Sequence, residues 1–228
     1  MSNSNEAQIV WKQVDDYFED MLCPVDPILK HAVEESEKHG LPPHQVAPNQ
    51  GKLLEIFSHM IQARKILEIG TLGAYSTIHL ARSVQERNGK VISLEFNPKH
   101  ATVARENVKF ANLQEIIEIR EGKAAELMQG MIDNNEGPFD LIFIDADKPS
   151  NPIYLELSLQ LSKSGSIIIG DNVVRNGQVV NDESQDANVI GVRQFMKLMK
   201  ENPKLKACTA LQTVGCKGYD GFSIAIVK

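Results

Sequence analysis

The feature that most constrains the fold is a regular alternation of β-type and helical segments that begins at Lys65. Short runs rich in Ile, Leu and Val alternate with stretches whose apolar residues recur at helical spacing. The five runs begin at Lys65, Lys90, Glu115, Asp140 and Gly165. Alternation of this kind is typical of βαβ units, which build a parallel sheet covered by helices on both faces. We therefore predict an α/β fold.

The C-terminal part of the chain departs from this alternation. After a predicted helix at residues 189–200, two further strands are predicted at about residues 205–214 and 221–227. About six residues connect them, which is too few for a crossover helix, so the pair is expected to be antiparallel. The full prediction is a seven-stranded, mostly parallel sheet with an antiparallel C-terminal hairpin. A nicotinamide-binding Rossmann domain does not usually end in this way.

The N-terminal part of the chain precedes the predicted sheet. Apolar residues at helical spacing predict helices at residues 6–22, 27–39 and 49–61, with a proline-rich loop before the third. The length suits a single α/β domain over residues 1–228, with residues 1–40 as an N-terminal helical extension.

Composition argues against several classes of protein. No apolar run approaches the ~18–20 residues of a transmembrane helix, and the first residues lack the basic and apolar regions of a secretory signal. Three cysteines without CxxC spacing are typical of a reducing compartment, so we expect a cytoplasmic protein without a membrane partner. The net charge of −6 argues against a nucleic-acid partner, because phosphate contacts need a basic face.

Acidic and amide side chains end two neighbouring predicted strands. Asp145 ends the fourth strand, and Asp171 and Asn172 end the fifth. Because the carboxyl ends of parallel strands meet at one edge of a sheet, we expect an all-oxygen cluster there, with Lys148 nearby. Such ligands suit a hard dication, magnesium or calcium, better than zinc. Helix capping is the simpler interpretation for Asp147.

Three further features follow or interrupt the first three predicted strands. Glu68 lies within an apolar strand, where burying a carboxylate is costly unless it binds something. Gly70 and Gly73 lie in the next turn, but no third glycine completes a pyrophosphate-binding sequence. Glu95 ends the second strand, where it is placed to accept both ribose hydroxyls of an adenosine. The small residues of Gly122-Lys-Ala124 suit an adenine, although an ordinary turn explains them equally well.

Five motifs between about Leu41 and the C-terminus carry a family resemblance: Val46–Gly51 (VAPNQG), Ile66–Thr71 (ILEIGT), Tyr75-Ser76, Phe143–Lys148 (FIDADK) and Gly170–Val173 (GDNV). Together they resemble the cation-dependent, S-adenosylmethionine-dependent O-methyltransferases, the group of catechol and caffeoyl-CoA O-methyltransferases, and especially its small bacterial members. The resemblance implies a Rossmann-like methyltransferase fold.

The resemblance also implies roles for individual residues. The cofactor would be S-adenosylmethionine, with contacts from Val46, Glu68, Gly70, Thr71, Ser76, Glu95, Gly122, Ala124 and Asp145. The metal would be Mg²⁺, with Ca²⁺ or Mn²⁺ as alternatives, and its ligands would be Asp145, Asp171 and Asn172. Lys148 would be the catalytic lysine. Residues 1–40 would serve as a lid or as the contact of a homodimer.

Three positions depart from the family pattern. Gly73-Ala74 stands where Thr-Gly or Cys-Gly is usual, and Asn151 stands where a Tyr often follows the lysine. Arg175 stands where many relatives have Trp, which removes an aromatic wall from the expected acceptor site. The resemblance therefore leaves the substrate class open.

Together with the oxygen cluster at the strand ends, the resemblance implies divalent-metal-dependent transfer of a methyl group from S-adenosylmethionine to a hydroxyl of a vicinal-diol phenol of the catechol, hydroxycinnamate or flavonoid type. The metal would chelate both hydroxyls and acidify one, and Lys148 would take its proton. The polar segment 173–188, with Tyr219, is expected to close over this acceptor.

Three alternatives remain open at this point. The first is an O-methyltransferase of tRNA hydroxynucleosides on the same fold. The second is an NAD-dependent oxidoreductase, which only the βαβ order and Glu95 favour. The third is an inactive scaffold, which would need neither Lys148 nor three oxygen ligands.

Overall fold

Seven strands form one sheet. The computed structural model describes residues 2–228, with side chains from residue 6 onward. The strands are β1 (Lys65–Ile69), β2 (Lys90–Glu95), β3 (Ile117–Glu121), β4 (Phe139–Ile144), β5 (Ser162–Asp171), β6 (Leu205–Gly215) and β7 (Gly218–Val227). Their order is β3-β2-β1-β4-β5-β7-β6. Strands β1 to β5 are parallel, whereas β7 is antiparallel to both β5 and β6. The predicted sheet and its antiparallel C-terminal hairpin are confirmed.

Helices cover both faces of this sheet. They are α1 (Ser2–Leu22), α2 (Pro27–Lys38), α3 (Pro48–Met60), α4 (Tyr75–Gln85), α5 (Pro98–Phe110), α6 (Ala124–Asp133), α7 (Asn151–Gln160) and α8 (Ala187–Glu201). Successive residues of a strand point to opposite faces, and Ile66 accordingly joins a core with residues of α2 to α5. Leu67 joins a second core with residues of α6 to α8. The three-layer α/β architecture predicted from the alternation is therefore confirmed.

Several boundaries differ from the sequence prediction. Strand β3 begins at Ile117 rather than Glu115, and β5 begins at Ser162 rather than Gly165. The C-terminal hairpin is tighter than expected, because only Cys216 and Lys217 separate its strands. Gly218 follows at φ +88°, a backbone conformation that glycine adopts without a steric penalty and that allows the chain to turn back at once.

Within the described residues, no helix has both the length and the apolar character needed to cross a membrane.

The order of the strands determines where a ligand can bind. Strand β1 pairs with β2 on one side and with β4 on the other, so the chain builds the sheet outward from β1 through β2 and β3 and then in the opposite direction through β4 and β5. In open α/β sheets, ligands bind outside the carboxyl ends of the strands at such a point. The turn after β1 approaches β4 closely: a Cβ atom on Gly70, which has φ +100°, would lie 2.1 Å from the carbonyl oxygen of Asp145. Glycine is therefore required there.

A fully buried carboxylate connects β1 with β2 and α4. Glu68 accepts hydrogen bonds from Ser76 Oγ at 2.6 Å, from Ser93 Oγ at 2.5 Å and from Thr77 Oγ1. Burial raises the pKa of Glu68 from 4.5 to about 7, against the opposing effect of the three hydroxyl donors. The hydroxyl groups compensate part of the desolvation cost that a buried carboxylate carries.

The pKa of Glu68 predicts how stability depends on pH. The Glu68 carboxyl group binds its proton more tightly in the folded state than in the unfolded state. Protonation of Glu68 therefore stabilises the folded protein. This contribution is complete below about pH 4.5 and is lost as the pH rises through about 7. A difference of this size corresponds to about 3 kcal/mol. In Glu68→Gln this loss should be absent, and the free energy of unfolding of the variant relative to wild type should increase between pH 5 and pH 8.

Urea unfolding at several pH values measures this difference. Glu106→Gln, at an exposed carboxylate on α5, is the matched control and should run parallel to wild type. Parallel profiles for Glu68→Gln and wild type would show that Glu68 does not titrate in this range in the folded protein.

Candidate active site

A cavity of about 1190 Å³ opens at the carboxyl ends of the parallel strands. Its walls come from the turns after β1, β3 and β4, the ends of β2 and β5, the start of α3, and the C-terminal hairpin. Helices α1 and α2 also contribute, through Asp15 and Ser36 among others. The cavity therefore lies at the position that the sheet topology predicts.

The predicted oxygen cluster is at this edge of the sheet. Ile144 pairs with Gly170 across β4 and β5, so the residues that follow them, Asp145 and Asp171, come together at the strand ends. Both line the cavity, as does Asn172, whose backbone adopts φ +53°. Burial and the neighbouring charge of Asp145 raise the pKa of Asp171 above its usual range. Two carboxylates and an amide oxygen at one edge of the cavity are a donor set that fits a hard dication.

Lys148 follows this cluster in a short 3₁₀ turn, Lys148–Ser150, and is 5% exposed. Its Nζ atom donates a hydrogen bond to Asp145 Oδ1 at 3.0 Å. Helix α8 packs directly on this turn: a Cβ atom on Gly191 would lie 2.2 Å from the carbonyl oxygen of Lys148. Gly191 therefore allows the close packing that positions the lysine, and only the tertiary contact identifies it.

Asp147 does not act as the helix cap that the sequence suggested. It precedes the 3₁₀ turn, but its side chain accepts no capping hydrogen bond from a backbone amide. Its carboxylate instead accepts hydrogen bonds from Tyr154 Oη at 2.6 Å and from Ser150 Oγ at 2.5 Å. Ser150 ends the 3₁₀ turn and Tyr154 lies in the first turns of α7. Asp147 therefore connects the segment after Lys148 to α7.

Gln50 is a site residue to which the sequence analysis assigned no role. It lies at the start of α3, and its Nε2 atom donates a hydrogen bond to Asp171 Oδ1 at 2.8 Å. The two residues are 121 positions apart in the chain. The only available signal was its place in the VAPNQG motif, which does not indicate a partner.

Glu95 orients the turn after β1. Its Oε2 atom accepts hydrogen bonds from the backbone amides of Thr71 at 3.2 Å and Leu72 at 2.8 Å, and Oε1 accepts from the amide of Asn97 at 2.9 Å. Glu95 also lines the cavity. A carboxylate has about four lone-pair positions, so roughly one remains, on Oε1, for a ligand hydroxyl. The acceptance of both ribose hydroxyls by Glu95 stays a prediction.

The structure brings most of the predicted cofactor contacts to the cavity wall: Val46, Gly70, Thr71, Ser76, Glu95, Ala124 and Asp145. Glu68 and Gly122 do not line it. Glu68 is fully buried behind Ser76 and holds that residue in place, so its position does not support the direct contact predicted. Gly122, at φ +151°, shapes the turn before α6, and Lys123 and Ala124 face the cavity instead.

The structure brings little of segment 173–188 to the cavity, and its closure over an acceptor stays a prediction. Only Arg175 and Asn188 of this segment line the cavity, and Val180 in its 3₁₀ turn is 82% exposed. Tyr219 does not line the cavity, and its hydroxyl is hydrogen-bonded to Gln212 on the neighbouring strand. Hairpin pairing therefore determines where Tyr219 lies.

The departure at Gly73-Ala74 has a local structural consequence. Ala74 precedes α4 at φ +65°, a left-handed conformation that is unfavourable for a residue with a Cβ atom. Gly73 packs against α2, where an added Cβ would lie 2.0 Å from Ser36 Oγ. The turn is therefore tightly packed, and Leu72, at φ +49°, and Ala74 both adopt left-handed conformations within it.

Comparisons with known proteins agree with this site. A family model described as O-methyltransferase matches residues 21–218. The catechol O-methyltransferase of Niastella koreensis is 43% identical over 219 residues, which cover 96% of this chain and 98% of that protein. The catechol O-methyltransferase of Mycobacterium tuberculosis is 43% identical over 215 residues, which cover 94% and 95%. An O-methyltransferase from Bacillus cereus, solved in complex with SAH, superposes with a TM-score of 0.94 at 48% identity, covering 96% of this chain and 99% of that one.

These matches extend over nearly the whole chain and are not confined to the βαβ units that many folds share. They overturn the alternative of an NAD-dependent oxidoreductase, which rested on strand order and Glu95 alone. The chain therefore belongs to the O-methyltransferase family, in the S-adenosylmethionine-dependent group of the catechol and caffeoyl-CoA type.

Proposed function

We propose that this enzyme transfers the methyl group of S-adenosylmethionine to one hydroxyl of a vicinal-diol phenol in a reaction that requires a divalent cation. The observation that carries the proposal is the arrangement of Lys148 beside Asp145, in the same cavity wall as Asp171 and Asn172. The names of the two relatives that are 43% identical support a catechol as the acceptor.

The cation would be held by Asp145, Asp171 and Asn172. We propose Mg²⁺, with Mn²⁺ and Ca²⁺ as alternatives of similar oxygen preference. When bound, such a cation acidifies a coordinated phenolic hydroxyl. Gln50 would keep Asp171 in a fixed orientation through its hydrogen bond of 2.8 Å. Outer partners of this kind commonly tune the affinity of a metal site.

Lys148 would receive the proton of the acceptor hydroxyl on Nζ. Asp145 Oδ1, at 3.0 Å, would then stabilise the resulting ammonium group. The phenolate oxygen attacks the sulfonium methyl carbon, the carbon–sulfur bond breaks, and the sulfur retains the bonding electron pair. The rate of this displacement depends mainly on the alignment of the phenolate oxygen with the methyl carbon and the sulfur. Holding both substrates in fixed positions would therefore supply much of the rate acceleration.

The cofactor would occupy the side of the cavity formed by the turns after β1 and β3. Gly70, Thr71 and Ser76 would contact its methionine part, beside Val46. Glu95 would accept a ribose hydroxyl on its remaining lone pair, and Ala124 would lie against the adenine. Glu68 would act indirectly, by holding Ser76 in place.

Removal of the metal tests the proposed function. Wild type should methylate catechols in the presence of Mg²⁺, lose at least about 100-fold in rate with excess EDTA, and recover when Mg²⁺ is restored, since the cation supplies charge stabilisation worth several kcal/mol. The measurement is methyl transfer from labelled S-adenosylmethionine to a panel of vicinal-diol phenols. A tRNA transcript in the same assay distinguishes the nucleoside alternative. Full activity in EDTA would eliminate the metal role.

A substitution at Lys148 tests the assignment of the base. Lys148→Met should lower kcat by about 10²- to 10⁴-fold, the usual contribution of a general base. Cofactor affinity, measured by calorimetry with S-adenosylhomocysteine, should change little. The control is Lys197→Met, at an exposed lysine on α8, which should keep wild-type turnover. Wild-type turnover in Lys148→Met would contradict the assignment.

We also propose a single domain over residues 1–228 that forms a homodimer through helix α1. This helix exposes a group of large apolar side chains: Ile9, Val10, Val14, Tyr17, Phe18, Met21 and Leu22. Exposed apolar patches of this kind mark interaction sites. Helix α1 also reaches the cavity, where Asp15 Oδ2 accepts a hydrogen bond from the amide of Cys216 at 2.7 Å, so the extension would form part of the lid as well.

Sedimentation equilibrium tests the dimer. Wild type should be dimeric at micromolar concentration, and a double substitution, Tyr17→Asp with Met21→Asp, should shift it to monomer because two charges would have to be buried at the interface. A monomeric wild type would contradict the proposal.

The reducing cytoplasm is the compartment we propose, on the support of three cysteines that are all unpaired.

A further inference from the structure

Arg175 occupies a defined position in the wall of the acceptor side of the cavity. It lies three residues after Asn172, and its backbone is held at φ +54°. Asp220, on β7, fixes this turn: its Oδ1 atom accepts hydrogen bonds from the backbone amides of Val174 at 2.9 Å and Arg175 at 3.1 Å. The guanidinium group therefore projects from an anchored piece of backbone rather than from a loose loop.

The other charged groups of the cavity wall already have partners. Six carboxylates line the cavity, and each accepts a hydrogen bond or forms an ion pair within the described part of the chain: Asp15, Glu95, Asp145, Asp147, Asp171 and Asp220. Lys148 is bound to Asp145, and Lys123 pairs with Glu126 at 3.0 Å. Lys217 Nζ donates to the carbonyl oxygen of Pro43 at 3.0 Å.

Arg175 is the lining cation with the weakest partner. Its Nη1 atom lies 3.9 Å from Asp220 Oδ2, which is too far for a hydrogen bond. Its Nε atom is buried and has no hydrogen-bond partner among the described residues. A guanidinium group carries five N–H donors in a planar fork, and leaving such donors buried without an acceptor is unfavourable. The side chain as a whole is 30% exposed, so its terminal N–H groups are accessible to an acceptor that enters the cavity.

We propose that Arg175 makes the acceptor site selective for vicinal diphenols that carry a carboxylate group on the ring or on a short side chain. This proposal rests on the proposed function and adds to it the class of the acceptor. The guanidinium fork matches the two oxygens of a carboxylate and binds them through paired, charge-assisted hydrogen bonds. The hydroxyl pair would be held at Asp145, Asp171 and Asn172, and the carboxylate at Arg175. Many relatives have an aromatic residue at this position, which would pack against the face of the acceptor ring. Arg175 would instead bind the charged substituent of that ring.

A series of three acceptors with the same diphenol ring and differently charged substituents tests this selectivity. The series consists of 3,4-dihydroxybenzoate, its methyl ester and 3,4-dihydroxybenzylamine, which carry one negative charge, none and one positive charge. Wild type should prefer the acid to the ester by about 10-fold in kcat/KM, mainly through KM, since only the carboxylate can form paired, charge-assisted hydrogen bonds with the guanidinium group. The amine should be the poorest acceptor of the three.

Arg175→Gln should remove this order. The ratio of kcat/KM for acid to that for ester should fall to about 1, and the amine should gain relative to the ester. Arg175→Lys should retain part of the preference, because a lysine keeps the charge but loses the planar fork. Arg193→Gln is the matched control: this arginine is bound to the carbonyl oxygen of Val179 at 2.7 Å and does not line the cavity. Its acid-to-ester ratio should equal that of wild type.

Binding measured without turnover separates recognition from catalysis. Calorimetry with 3,4-dihydroxybenzoate, in the presence of S-adenosylhomocysteine and Mg²⁺, should show weaker binding to Arg175→Gln than to wild type. The methyl ester should show a much smaller difference. Urea unfolding of the variant establishes that it is folded under the assay conditions.

The outcomes distinguish this inference from the proposed function. If the three acceptors are methylated and Arg175→Gln keeps the wild-type acid-to-ester ratio, the role of Arg175 is wrong and the proposed function stands. A wild type that methylates acid and ester equally well also overturns the role of Arg175. If wild type methylates none of the diphenols with Mg²⁺ present, the proposed function fails, and the acceptor class fails with it.

Discussion

The pairing of β4 with β5 is the interaction on which the site depends. Because Ile144 pairs with Gly170, the next residues of the two strands bring Asp145 and Asp171 to the same point on the sheet edge. A shift of one residue in this register would point alternate side chains to the other face of the sheet. Gly170 also allows α8 to pack closely, since a Cβ atom there would lie 2.8 Å from Phe195 Cζ. The apolar core and the polar cluster are therefore determined by the same two strands.

The buried charges around this edge are stabilised in two different ways. Glu68 is surrounded by hydroxyl donors from α4 and β2 and is isolated from the cavity, which suits a structural role. Among the residues that the structure describes, Asp171 has a single side-chain donor, Gln50, and it lies beside a second carboxylate that raises its pKa. An arrangement of like charges that costs stability in the free protein is typical of sites that bind a cation or carry out chemistry. The contrast separates a carboxylate that supports the fold from carboxylates that are available for function.

Much of the fold and part of the site could be predicted because they depend on local patterns. Short β-type runs alternating with helices require a parallel sheet, and the carboxyl ends of its strands converge at one edge. Asp145, Asp171 and Asn172 were therefore predictable as a group. The predictions for Glu68 and Tyr219 were less accurate for a shared reason: whether a side chain faces a cavity depends on its neighbours in space. Ser76 separates Glu68 from the cavity, and Gln212 binds the hydroxyl of Tyr219.

The sequence by itself determined the α/β class, the antiparallel C-terminal hairpin and the group of polar residues at the strand ends, because each follows from the periodicity and length of a contiguous segment. Only the tertiary structure decided which of these residues are free to bind a ligand. Gln50 and Asp171 are 121 positions apart, and Asp220, which holds the backbone of Arg175 through its Oδ1 atom, has its Oδ2 atom 3.9 Å from the guanidinium group. Such facts depend on hydrogen bonds between distant segments, and no local pattern in the chain encodes them.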